Sequence, residues 1–254
     1  MLRTSNPVLS SKSFGGFASH APPEAQARGV REEAMTIPGT VNKTAILLAV
    51  VVVAGLWPWR LMQTDPAAAL NWLWVGLLGG FVTALVIIFK KEWAGPLSPV
   101  YAACEGLALG ALSAVFERAY PGIVFQAVGL TIGTLAAMLV IYRTGAIRVT
   151  DNFKRGVIAA TCAIALVYLA TFVMRAFGMP VEFMHSSGPL GIGISMVVVV
   201  IAALNLVLDF DLIVKGAAGG APKYMEWYGA FGLLVTLVWL YLEILRLLGR
   251  LNRR

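Results

Sequence analysis

The sequence predicts an all-α polytopic membrane bundle of seven transmembrane helices. Three observations carry this reading. Hydrophobic residues make up 59% of the chain and charged residues only 13%, against roughly 25% charged in an average soluble domain. The charges are gathered into short segments between long apolar runs, as a bilayer requires. The breaks between the runs carry turn chemistry rich in Pro, Gly, Asp and Ser.

Residues 1 to about 41 are polar and rich in Ser, Pro, Gly, Arg and Glu. They contain no apolar stretch of signal-peptide type and read as a disordered cytoplasmic tail. Residues 42–254 form the expected membrane domain. A spanning helix needs about 20 residues at ~1.5 Å each, and seven runs meet that length: 43–62, 70–89, 97–117, 121–142, 156–177, 190–213 and 227–248. Asp65-Pro66 separates the first two runs, Gly95-Pro96 precedes the third and Tyr120-Pro121-Gly122 precedes the fourth. Pro180 and Ser186-Ser187-Gly188-Pro189 precede the sixth, and the Gly216–Pro222 stretch precedes the seventh. Trp57, Trp59, Trp72, Trp74, Trp93 and Trp227 fall at or near the ends, where an aromatic belt belongs. Gly106/Gly110 and Gly129/Gly133 form GxxxG spacings that let helix backbones approach closely.

The net charge of +7 reads as topology and headgroup contact, since the basic residues sit in loops and at the ends. No nucleic-acid-binding module is recognisable. Cys104 and Cys162 both lie inside apolar runs and behave as small core residues. No Cys/His cluster supplies a zinc or haem ligand set, so no cofactor is expected. Lys90, Lys91, Arg143, Arg148, Lys154, Arg155, Lys215 and Lys223 fall in loops on one side, and Arg60, Arg118 and Arg175 on the other. The excess places the N-terminus in the cytoplasm of a cell-membrane protein. Arg250, Arg253 and Arg254 then end outside, against the rule, which leaves the seventh run open between a full span and a partial one. Seven spans is the reading adopted.

Acidic groups inside spans are expensive and mark functional positions by default. Glu105, Asp209, Asp211 and Glu243 qualify. Glu243 has Arg246 at i+3 and Asp211 has Lys215 at i+4, so both have a structural ion-pair reading. Asp209 has no such local partner; Asn205 at i−4 gives it a short polar stripe. Snorkelling to the interface is its structural alternative. Glu105 has no local partner either, and a hydrogen bond to backbone or hydroxyl is its alternative. Glu105 lies about 10–12 Å in from the end of its run, and Asp209 one to two turns from the same side. Two carboxyls at common depth could share a proton or bind a cation. Asp209 and Asp211, two apart on a helix, point nearly opposite ways and make a poor pair.

The segment PVYAACEGLALGAL (99–112) resembles the third-helix region of the Bax inhibitor-1 family. LNLVLDFDLIVKG (204–216) resembles its sixth-helix region, and WLYLEILRLLGRL (239–251) its seventh. The start SNPVLSSKSF (5–14) looks like the tails of actinobacterial members. The resemblance covers about 42–251 and implies a fold with the last helix central. It implies a pH-sensitive calcium leak in which an aspartate of the sixth helix pairs with one of the seventh. Asp209 takes the first position; Thr236 stands at the second and cannot ionise, though it can donate a hydrogen bond to Asp209. The family's basic latch in the second helix has no counterpart, since 70–89 contains no Arg or Lys.

Two functions follow as expectations. One is a calcium or other cation leak with Asp209 as the responsive group, Glu105 or Asp211 as candidate partners and Asn205, Thr236 and Glu243 as polar support. The other is a non-conducting adaptor that regulates a membrane-protein partner such as a protease. An enzyme is not expected. There is no Gly-x-Ser-x-Gly and no HExxH, and the two histidines, His20 and His185, lie in the tail and a loop.

Overall fold

The computed structural model describes residues 34–178 and 188–253. The expected tail over 1–33, His185 with its flanking loop, and Arg254 lie outside these residues. Seven helices among the described residues are long and apolar enough to cross a membrane. They are α1 (Ile37–Thr64), α2 (Pro66–Phe89), α3 (Ala94–Ala119), α4 (Ile123–Arg143), α5 (Asp151–Ala176), α6 (Pro189–Ala218) and α7 (Met225–Asn252). The chain is therefore a multi-pass membrane protein.

Each helix runs past the apolar stretch that announced it. α1 starts at Ile37, earlier than the expected 43, because the Thr36 hydroxyl accepts the Gly39 N–H at 3.1 Å. Pro38 sits in the first turn, where its missing N–H costs nothing. The first helix thus begins before residue 42. The Asp65-Pro66 break is a one-residue joint. The Asp65 N–H closes α1 onto Leu61 O at 2.7 Å, while its carboxylate accepts the Ala68 N–H at 3.0 Å and opens α2. Gly95-Pro96 lies inside the first turn of α3 rather than before it. Gly122, at φ 85°, needs the left-handed region that glycine enters without strain. It redirects the chain into α4. α5 begins at Asp151, five residues before the expected 156, under an N-cap in which Thr150 accepts the Phe153 N–H at 3.2 Å. α6 runs on to Ala218 instead of 213, since Gly216 alone does not stop a helix.

Packing is densest where side chains are smallest. α3 lies against both α1 and α2. A Cβ on Gly110 would run into the Gly55 backbone, and one on Gly106 into Val51 O and Ala54. The first GxxxG is therefore a true backbone contact. The second is not: nothing lies within 4 Å of where a Cβ on Gly129 or Gly133 would stand. α7 packs against α1, α3, α4 and α6 and contributes to two apolar clusters. One joins it to Leu206, Val207 and Phe210 of α6 and Ile123 and Ala127 of α4. The other joins Phe231 and Leu234 to Leu47, Tyr101 and Ala102. α5 is the exception. It packs on α6 with only 6% of its apolar window buried, leaving Leu166, Leu169 and Phe172 exposed to lipid.

Candidate intramembrane carboxylate site

The lysines of the described chain mark one side of the bundle. Lys43 opens α1, Lys90 and Lys91 follow α2, Lys154 opens α5, Lys215 closes α6 and Lys223 precedes α7. Measured from this lysine-rich side, Glu105 stands roughly 16 Å along α3, Asp209 roughly 14 Å along α6 and Thr236 roughly 16 Å along α7. All three are deeper than their apolar runs suggested, because the helices extend beyond the runs.

Asp209 is the least satisfied acid of this layer. Its Oδ2 is buried without a hydrogen-bond partner, a costly condition for a carboxylate in an apolar interior. Thr236 of α7 faces its carboxyl, as the resemblance implied. The Thr236 hydroxyl also donates to Gly232 O at 3.3 Å, so Asp209 is not its sole acceptor. Asn205, one turn away on α6, does not extend a stripe toward Asp209. It donates to Thr161 Oγ1 of α5 at 2.9 Å and to Ile201 O at 2.9 Å.

Glu105 lies elsewhere. It lines a groove of about 440 Å³ between α2, α3 and α7, with Phe81, Phe231 and Gly232. Tyr101, one turn back, presents its hydroxyl to the carboxyl. Gly80 of α2 makes the room: a Cβ there would stand 3.2 Å from Glu105 Oε1. The expected coupling of Glu105 with Asp209 is not formed. The two carboxyls sit on helices that do not pack substantially on each other, and each faces a different hydroxyl.

The remaining two acids are ion-paired. Asp211 Oδ2 meets Lys215 Nζ at 2.8 Å and Lys154 Nζ at 3.0 Å. Being paired on the far side of α6, Asp211 is not a partner for Asp209. Glu243, 1% exposed, accepts from Arg246 at 2.7 Å, from the Tyr168 hydroxyl at 2.8 Å and from Trp239 Nε1 at 3.2 Å. All three meet at Glu243 Oε1, which joins α5 to α7.

Two acids escaped the sequence reading. Glu226, also 1% exposed, accepts the Thr36 N–H at 2.8 Å, the Thr36 hydroxyl at 2.7 Å and Lys223 Nζ at 2.9 Å. It also binds Lys43, so it ties the start of α1 to the start of α7. Lys223 at i−3 was the only local signal. Glu117 accepts the Gly122 N–H at 2.6 Å and the Val124 N–H at 3.1 Å, satisfying two free amides at the start of α4.

Among the described residues no three His, Cys, Asp or Glu side chains converge as a metal cage. The arrangement has one under-satisfied carboxylate, at Asp209, and one carboxyl in an open groove, at Glu105. Neither carboxyl has an ion-pair partner among the described residues. The other acids are committed to holding helices together.

No curated protein and no solved structure shows a significant match to the chain. The family described as Bax inhibitor 1 like matches residues 6–253, reaching from the N-terminal segment to the end of α7, and the chain belongs to that family.

Proposed function

We propose that the protein is a cation leak of the cell membrane, carrying calcium in a pH-sensitive way, with Asp209 as the group that responds to proton or cation. The observation that carries this reading is the buried Asp209 Oδ2 with no hydrogen-bond partner. A carboxylate left so in a span is retained for function by default. Family membership supports the activity class. The N-terminus and the lysine-rich side face the cytoplasm, in keeping with the positive-inside bias. The leak works without a carboxyl pair: Thr236 faces Asp209, and Glu105 acts apart from it as a second acidic group along α3.

The test is calcium efflux from proteoliposomes between pH 5 and 8, comparing wild type with Asp209→Asn. The variant, fixed in the neutral form, gives a flux that no longer varies with pH. Equal flux with an equal pH profile removes Asp209 from the role.

Thr236 supports a second reading, since a hydroxyl cannot complete a proton-sharing aspartate pair. In it the protein is a non-conducting adaptor for another membrane protein, such as a protease. Pure protein then passes no calcium, and mild-detergent purification brings a stoichiometric membrane-protein partner with it.

A further inference from the structure

A second cavity of about 390 Å³ lies on the other face of α3, bounded by α1, α3, α4 and α7. Its size falls within the range of small-molecule sites. α1 and α4 form its two walls and are joined through α3 and α7, with no substantial packing on each other. The mouth therefore opens sideways into the bilayer. Val52 and Leu56 of α1 and Val128 and Ile132 of α4 line it and are exposed. The floor is Leu234 and Leu237 of α7, both buried.

The cavity offers water little to hold. Its lining hydroxyls are already paired, Ser113 Oγ with Tyr241 Oη at 2.7 Å and Thr131 Oγ1 with Ala127 O at 2.7 Å, and the indole N–H of Trp59, at one end of the α1 wall, is the remaining polar side-chain group of the lining. An apolar space with so few polar partners stays dry or fills with hydrocarbon. Its length selects the hydrocarbon. The α1 wall from Leu48 to Trp59 and the α4 wall from Val124 to Leu135 each rise roughly 16 Å. One leaflet contributes about 15 Å of the ~30 Å hydrocarbon core. The slot thus runs from mid-membrane to the edge away from the lysines, the depth of one acyl chain.

The mouth also carries a charge. Arg60 stands one turn beyond Leu56, continuing the wall row Leu48–Val52–Leu56 at i+4 spacing. It is exposed at the level where headgroups lie. A guanidinium there matches a phosphate.

We propose that this cavity is a binding site for one phospholipid of the leaflet opposite the lysine-rich side, its acyl chain seated between α1 and α4 and its phosphate paired with Arg60. The site is independent of Asp209 and of the leak.

The experiment uses the full chain in nanodiscs containing phosphatidylglycerol with a photoactivatable diazirine in one acyl chain. Adducts are mapped by peptide mass spectrometry. The expected adducts fall on Val52, Leu56, Val128 and Ile132, in excess over the lipid-facing residues of α5. Arg60→Gln lowers their yield about fivefold, as expected for one basic residue near a headgroup. Arg175→Gln, which removes a charge at the same membrane side but on α5, leaves the yield unchanged. Val128→Phe, which fills the mouth, abolishes it. Unchanged circular dichroism and a single gel-filtration peak separate a lost site from a lost fold. Adducts spread evenly over all lipid-facing helices, or equal losses in R60Q and R175Q, overturn the proposal.

Discussion

Replacing Glu226 by glutamine keeps the shape of the side chain but removes the charge that Lys43 and Lys223 face. The lysines left behind are partly solvated, so the loss is smaller than the ~3 kcal/mol of breaking a fully buried pair. The E226Q protein therefore melts at a lower temperature in detergent than wild type, followed by circular dichroism at 222 nm. An unchanged midpoint would mean that the α1–α7 tie carries no stability. Thr236→Asp tests the other layer. It gives Asp209 a second carboxyl across the α6–α7 contact, and two carboxyls in reach share a proton. The calcium-flux profile then shows a second pH step beside the one Asp209 gives wild type, and D209N/T236D loses the two-step profile. These residues also measure what the sequence could tell. Asp211–Lys215 and Glu243–Arg246 were legible because i+4 and i+3 spacing is local. Lys154 and Tyr168, which complete the two centres, come from α5, and spacing along α6 or α7 says nothing of them. Glu226 was hidden for the same reason. Its partners Lys43 and Thr36 lie 183 and 190 residues away.

A helix pair is decided by what its glycines meet. Gly110→Ala pushes a methyl group into the Gly55 backbone, and neither side can yield without parting α1 from α3. Gly133→Ala meets open space and gains helix propensity. G110A is therefore expected to lower the melting temperature by several degrees, while G133A leaves it equal or slightly higher. Equal effects would show that α1 and α3 are not in backbone contact. The two GxxxG motifs share the same spacing, so the spacing could not rank them; the neighbour that fills or leaves the groove distinguishes them. Helix lengths were misread in the same way. Apolarity reports the stretch that lipid covers, whereas caps such as Thr36, Asp65 and Thr150 decide where hydrogen bonding begins, and those lie in polar sequence.

At the scale of the molecule, the seven spans were legible from hydropathy, while loop charge supplies only the proposed orientation, with the arginines after the seventh run against it. Two of the three are engaged by the protein: Arg250 donates to Ser195 Oγ at 2.7 Å and Arg253 to the Tyr120 hydroxyl at 3.1 Å, while Arg254 lies outside the described residues. Charges engaged by the protein weigh less on orientation than solvated loop charges do. Seven spanning helices among the described residues would put the start of α1 and the end of α7 on opposite sides, the latter outside in the proposed orientation. A C-terminal alkaline phosphatase fusion is thus active outside, and a C-terminal green fluorescent protein fusion is dark. The opposite pattern reverses the proposed orientation.

α5 touches the rest of the bundle through little apolar surface but through three polar links at three depths. Lys154 meets Asp211 at one end, Thr161 accepts from Asn205 midway, and Tyr168 donates to Glu243 toward the other end. Such links are strong only while water is kept away. Around most of its circumference the neighbour of α5 is the bilayer itself, so lipid acts as the missing half of its packing. Stripping that lipid admits solvent to the links, and failure of the fold then has a starting point. In hydrogen–deuterium exchange during delipidation, amides of 157–174 lose protection before those of α3 or α7, and the protein comes apart as a door leaves its frame, at the hinges first.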